Sequence, residues 1–239
     1  VKPVPVVETF GPTIQGEGPL AGTPTYFVRL GLCDYRCSWC DSMYAVDPKL
    51  VREGSVRMNE HQILDELRKL QLGPQWVTLS GGNPAVHDLG DLVALLNDRR
   101  LLVAVETQGS KWKPWLTRVQ QLVVSPKPPS SGMAGEKNEA ETRSFLDVAS
   151  KAMQTRKRGL KIVVFDDDDY DWAKRIIAAN PGWRTWLSVG TPIPDAEPIP
   201  AILDRFRWLS ERVASDMSLR HVRVLPQLHV LAWGQVRGV

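Results

Sequence analysis

The sequence has only three cysteines and four histidines in 239 residues, no apolar run that approaches a membrane span, and a formal net charge of only +3. Three cysteines cannot build a disulfide framework, because any pairing strands one thiol. Without a run of about 20 apolar residues no helix is expected to cross a bilayer. A charge so close to balance does not argue for nucleic acid as a partner. The nine tryptophans are scattered, without the periodicity of a base-stacking platform. The opening residues, Val1-Lys-Pro-Val-Pro-Val, lack the apolar centre of a secretory signal, so the chain reads as cytoplasmic. No internal repeat or low-complexity segment breaks the chain, and 43% hydrophobic residues suffice for a sizeable core. A single domain over residues 1–239 is the expectation.

What is present is concentrated. All three cysteines fall within eight residues, Cys33-Asp-Tyr-Arg-Cys37-Ser-Trp-Cys40, a C-x3-C-x2-C loop. Three thiolates so spaced are able to hold three irons of a cubane and leave the fourth iron open to a chelating ligand. A zinc site, with His61 or His87 as a distant fourth ligand, and redox thiols are the alternatives.

Around this loop the sequence alternates strand and helix. Thr25 to Leu30 reads as a strand running into the cysteines. Asn59-Glu-His-Gln62 resembles a capping box, and Ile63, Leu64, Leu67 and Leu70 recur at helical spacing. Trp76 to Leu79 reads as a buried strand ending in the turn Ser80-Gly81-Gly82-Asn83-Pro84. A helix over Leu89 to Arg99 and a strand over Leu101 to Glu106 follow, closed by Thr107. Further strands are expected at Leu122 to Val124, Leu160 to Phe165, Trp186 to Val189 (ending at Gly190-Thr191-Pro192) and Val222 to Leu225. Further helices are expected at Glu139 to Arg156, Asp167 to Asn180 and Ile199 to Asp216. Ser130 to Asn138 reads as a flexible loop and Asp166 to Asp169 as a solvated helix start. The alternation predicts an α/β fold, a partial (β/α) barrel of parallel strands with its special residues at the carboxyl ends.

The cysteine loop, the Gly81-Gly82 turn after the next strand and the alternating topology together resemble the radical S-adenosylmethionine superfamily. Within it, four segments are similar to the 7-carboxy-7-deazaguanine synthase family of queuosine and 7-deazapurine biosynthesis. They are Phe10 to Gly18 (Phe-Gly-Pro-Thr-Ile-Gln-Gly-Glu-Gly), Cys40-Asp41-Ser42, Ser125-Pro126-Lys127 and Leu225-Pro-Gln-Leu-His229. The resemblance implies a [4Fe-4S] cluster on Cys33, Cys37 and Cys40, S-adenosylmethionine on its open iron, and Mg2+ at the Ser42 hydroxyl. It implies abstraction of hydrogen from C6 of 6-carboxy-5,6,7,8-tetrahydropterin by an adenosyl radical, then ring contraction with loss of ammonia. It further implies a low-potential electron donor such as flavodoxin or ferredoxin, and a homodimer.

Site roles follow by position. Trp39, Cys40, Asp41, Gly82, Ser125, Pro126, Lys127 and Ser188 are expected around S-adenosylmethionine. Ile14, Gln15, Gly16, Glu17, Arg29, Ser80, Gln227 and His229 are expected around the substrate. Arg29 would take the substrate carboxylate in its bidentate fork, with a structural ion pair as the alternative. Glu106 and Thr107 sit at the same rim, as ribose contacts or structural groups. Asn83 stands where the superfamily commonly has glutamate, and its amide oxygen is expected to accept from the methionyl ammonium. Two other functions remain alternatives: an activase for a glycyl-radical enzyme, and a non-enzymatic iron–sulfur or zinc module.

Overall fold

The computed structural model describes residues 2–71, 73–191 and 198–239. Pro192, assigned above to the turn after a strand, lies outside the described residues. The chain begins with β1 (Val4–Ile14) and β2 (Pro24–Leu30), followed by α1 (Pro48–Gly54), β3 (Val56–Met58) and α2 (Glu60–Lys69). It continues through β4 (Trp76–Gly81), α3 (Gly90–Asp98), β5 (Leu102–Thr107), β6 (Gln121–Val124) and α4 (Glu136–Ala152). Then come β7 (Arg158–Val164), α5 (Asp167–Ala179), β8 (Arg184–Val189), α6 (Ile199–Ala214), β9 (Arg223–Leu225) and α7 (Leu228–Trp233).

Among the described residues all the strands join one nine-stranded sheet in the order β3-β1-β2-β4-β5-β6-β7-β8-β9. From β2 to β9 every neighbouring pair is parallel, whereas β1 runs antiparallel to both β2 and β3. β3 and β9 are open edges, so the barrel is partial, as the alternation predicts. β1 and β3 are not anticipated by it.

Period-two alternation decides which face does what. Val28, Leu30, Val77, Leu79, Val103, Val105, Leu122, Val124, Leu160, Ile162 and Val164 are buried in one apolar core with the helices. Each such aliphatic side chain contributes about 1.5–3 kcal/mol on burial. The intervening positions, Arg29, Ser80, Glu106, Ser125 and Lys161, are polar and face the concave side, where all five line one cavity.

Helix starts follow local chemistry. Gln62 N–H donates to Asn59 Oδ1 at 3.0 Å and Asn59 N–H to Gln62 Oε1 at 2.9 Å, completing the capping box that opens α2. α5 starts where Asp166 accepts from the Asp169 N–H at 2.9 Å. Two expectations are corrected here. Residues 130–138 are not a loose loop: Ser131 is fully buried and α4 already starts at Glu136. Asp169 is not solvated but fully buried, accepting from the Ser130 N–H and hydroxyl and from the Phe165 N–H. α4 also ends at Ala152, four residues before the expected boundary, because β7 needs Arg158 inside the sheet, where its guanidinium stacks over Trp183 at 5.0 Å.

Candidate active site

The loops after β2, β4, β5, β6 and β7 open into a cavity of about 340 Å³ at the carboxyl ends of the strands. Cys33, Cys37 and Cys40 line its wall on the loop that follows β2. All three are free thiols. Burial pushes each thiol up, Cys33 to about 11 despite the Tyr35 N–H that donates to its sulfur at 3.4 Å. Thiolates here therefore need a bound cation for their charge. Among the described residues no three His, Cys, Asp or Glu side chains are set to hold a single metal ion. A cubane makes a different demand, one thiolate on each of three irons, and three sulfurs spread along one cavity wall fit it. His87 is not a fourth ligand: its Nε2 meets the Gly31 carbonyl at 2.8 Å, and neither it nor His61 lines the cavity.

The loop is held from below. Ser38 N–H donates to the Ser131 carbonyl at 2.9 Å, and the Ser38 hydroxyl to the Ser130 carbonyl at 2.7 Å. Trp39 Nε1–H donates to Ser130 Oγ at 3.0 Å, and Ser130 Oγ–H to Asp169 at 2.6 Å. Trp39 is thereby fixed against Phe165, ring centroids 5.2 Å apart, with Lys127 Nζ 5.4 Å above it. Asp41, Ser125 and Lys127 share this end, and Lys127 donates to Ser125 Oγ at 3.3 Å. The Ser42 hydroxyl donates to Asp41 Oδ1 at 2.9 Å, placing two oxygen groups beside Cys40.

The far end is assembled from both ends of the chain. The Leu228 N–H donates to the Gly16 carbonyl at 3.0 Å, and a Cβ on Gly16 would stand 2.1 Å from His229 Nδ1. Only glycine lets the two segments close on each other. Ile14, Gln15, Gly16, Glu17, Gln227 and His229 thus meet in one pocket. Glu17 accepts from Lys161 Nζ at 2.6 Å and from Gln227 Nε2 at 3.1 Å, while Gln227 accepts from Thr191. Burial raises the Glu17 carboxyl, but the Lys161 and His229 charges outweigh it and hold it at about 2. Glu106, which accepts from Gln15 at 3.3 Å, goes the other way: burial, with Glu17 adding to it, raises it in spite of Lys161.

Arg29 lines the cavity but already has an anion. Its Nε contacts Glu8 Oε1 at 2.5 Å, and Glu8 also accepts from Tyr44 and from Arg237 at 2.7 Å. The structural ion pair exists, and the Nη atoms make no hydrogen bond among the described residues. Ser80 Oγ is buried on the cavity wall with no hydrogen-bond partner among the described residues.

Gly81 and Gly82 line the cavity, yet their lack of a side chain answers to the protein itself. A Cβ on Gly81 would stand 2.1 Å from the Leu30 carbonyl oxygen, and one on Gly82 2.0 Å from that of Leu32. Asn83 is fully buried and absent from the wall; its Oδ1 is taken by the Ala85 N–H and the Thr107 hydroxyl, so it is not offered to an ammonium. Pro126 and Ser188 do not line the cavity either; Ser188 sits beside Val163, one strand further out. The residues not anticipated are Lys161, Thr191, Tyr44, Glu8, Gln108 and the segment 234–239, of which all but Glu8 line the cavity.

No family model matches the chain. It is 40% identical over 250 residues to the 7-carboxy-7-deazaguanine synthase of Bacillus subtilis, covering 100% of this chain and 99% of that one. It is 38% identical over 244 residues to the synthase of the same name from Bacillus cereus, covering 99% of each. The chain belongs to the 7-carboxy-7-deazaguanine synthase family. QueE from Escherichia coli has the same fold, with a TM-score of 0.70 at 20% identity over 95% of each chain. Membership of this synthase family sets aside the activase and the non-enzymatic module. No helix among the described residues is long and apolar enough to cross a membrane.

Proposed function

We propose that the chain converts 6-carboxy-5,6,7,8-tetrahydropterin to 7-carboxy-7-deazaguanine with loss of ammonia, using a [4Fe-4S] cluster and S-adenosylmethionine. The observation that carries this reading is that three thiols and a separate polar pocket, built from Gln15, Glu17 and His229, face one cavity. The cluster, when bound, supplies reductive cleavage of S-adenosylmethionine to an adenosyl radical. Everything else is positioning by the protein. Cys33, Cys37 and Cys40 hold the iron. Trp39, Asp41, Gly82, Ser125 and Lys127 surround the methionyl and adenosyl parts, with Trp39 rigid through Ser130 and Asp169. Gln15, Glu17, Gln227 and His229 take the amino-pyrimidine edge of the pterin, where acceptors are needed for its N–H groups. Ser80 offers an unspent hydroxyl.

Charge supports a doubly carboxylated load. Lys161 is neutralised by Glu17; Arg29, Lys127 and Arg237 are further cations lining the cavity, available to the cofactor and substrate carboxylates. Glu8 does not exhaust Arg29, because only Nε is engaged and a guanidinium fork serves two anions. Ser42 and Asp41 offer hard oxygen donors for Mg2+, which favours few protein ligands with substrate oxygen and water. A flavodoxin- or ferredoxin-type donor and a homodimer complete the proposal.

The test is anaerobic turnover of reconstituted protein with S-adenosylmethionine, dithionite, Mg2+ and the tetrahydropterin, followed by mass spectrometry. The expected product is 7-carboxy-7-deazaguanine with stoichiometric ammonia. 5′-Deoxyadenosine released without that product would overturn the substrate, and no cleavage by cluster-loaded protein would overturn the chemistry.

A further inference from the structure

A hydrogen-bond network beneath the cysteine loop, buried at Asn83, Thr107, Gln108 and Ser110 and exposed at Asp34, is not used by the reading above. Asp34, next to Cys33, accepts through one oxygen from Asn83 Nδ2 at 2.9 Å and from Gln108 Nε2 at 2.6 Å. Asn83 Nδ2 also donates to Ser110 Oγ at 3.2 Å, and its Oδ1 accepts from the Ala85 N–H at 3.1 Å and the Thr107 hydroxyl at 2.8 Å. Both N–H groups and both lone pairs of that amide are spent, and Asn83 is fully buried. Gln108, 4% exposed, uses the nitrogen that serves Asp34 to donate also to Ser110 Oγ at 3.2 Å and to reach Cys33 Sγ at 3.7 Å. The network ties the turns after β4 and β5 to the first cysteine.

We propose that Asn83 and Gln108 are positioning residues: together they clamp the Asp34 carboxylate, and through it and the Gln108 N–H they fix Cys33 for iron. The inference rests on the cluster reading. It also accounts for the Gly-Gly-Asn-Pro turn. A carboxylate at position 83 has no N–H to give Asp34, and would set a second negative charge beside it at a position that is itself fully buried. The amide is required because the carboxylate of this contact is already supplied by position 34.

Groups just outside a metal's ligands typically change its retention by about 10–100-fold. The experiment compares wild-type, Asn83→Asp, the Asp34→Asn/Asn83→Asp double variant and Gln108→Leu, all reconstituted. It reads the rate of iron loss to a chelator and the midpoint potential by titration followed with electron paramagnetic resonance. Asn83→Asp is expected to lose iron about tenfold faster. The double variant, which restores an amide–carboxylate pair with the roles exchanged, is expected to recover most of that loss. Gln108→Leu is expected to keep its iron at reconstitution but to show a more negative potential, since an N–H toward sulfur favours the reduced, more negative cluster. Iron loss at the wild-type rate in Asn83→Asp, or a double variant no better than the single one, would overturn the clamp alone. Wild-type protein that takes up no iron would overturn the cluster reading and the clamp with it.

Discussion

Lys161 balances the polar end of the cavity. It sits in β7 between Leu160 and Ile162, both fully buried, and its own side chain is 9% exposed. A lysine there keeps its charge because Glu17 meets it at 2.6 Å and Glu106 adds to the negative charge around it. Glu17 in turn is held at about 2 against an ordinary 4.5, so its ionised form favours the folded state. The sign follows from linkage: the contribution is complete above pH 4.5 and disappears as pH falls toward about 2. Glu17→Gln is therefore expected to be less stable than wild type at neutral pH, with the gap narrowing over that acid range. Urea melts of both proteins across the range check it, and a gap independent of pH would remove the ion pair as its source. Glu17 is legible in the sequence because it belongs to the Gln-Gly-Glu-Gly turn. Lys161 is not, since one cation in an apolar run looks like any strand residue until β7 is seen to turn alternate positions toward the cavity. Arg29 is legible as a buried cation at a strand end, but its Glu8 partner lies on a strand the sequence does not reveal.

Elements show the same division. The parallel strands and their helices are readable because each is a short apolar run or a 3.6-residue pattern bounded by turn residues. β1 escapes because Pro5 and the Gly11-Pro12 pair read as turns, and its pairing with β2 is interrupted by two register shifts. β3, with three residues, and α1, with seven, fall below what periodicity detects. The turn after β4 is found in the sequence but for another reason than the structure gives. Leu32 has φ +78, an uncommon left-handed conformation for a branched residue, and its carbonyl accepts the Asn83 N–H at 2.8 Å. Gly82 packs flat against that peptide, where a Cβ would meet the carbonyls of Leu32 and Ala45 at 2.0 and 2.8 Å. Backbone on both sides has little room to give. Gly82→Ala is expected to destabilise the protein by about 3 kcal/mol, at the upper end of overpacking costs. Denaturant unfolding measures it, and a loss of only a few tenths would mean the cysteine loop yields freely.

At the scale of the whole molecule, the cavity is where distant parts of the chain are brought together. Gln227 and Glu17 are 210 residues apart, yet hydrogen-bonded at 3.1 Å. Residues 234–239 continue from α7 and line the cavity. One of their anchors is Arg237, whose Nε donates to Glu8 Oε2 at 2.7 Å and whose guanidinium lies 3.9 Å from the Tyr44 ring centroid. Glu8 thus joins β1 to Arg29 of β2 through one oxygen and to the end of the chain through the other. Arg237 is half exposed, so its loss should cost the global fold less than about 1 kcal/mol. Local opening is another matter, because a segment held by few contacts exchanges from its own small free energy and not from global unfolding. Arg237→Ala is therefore expected to speed amide hydrogen exchange at residues 234–239 while leaving β2 and β4 protected. Faster exchange confined to that segment would make Arg237 its hold on the cavity wall. Unchanged exchange there would show that contacts other than the ion pair with Glu8 keep it in place.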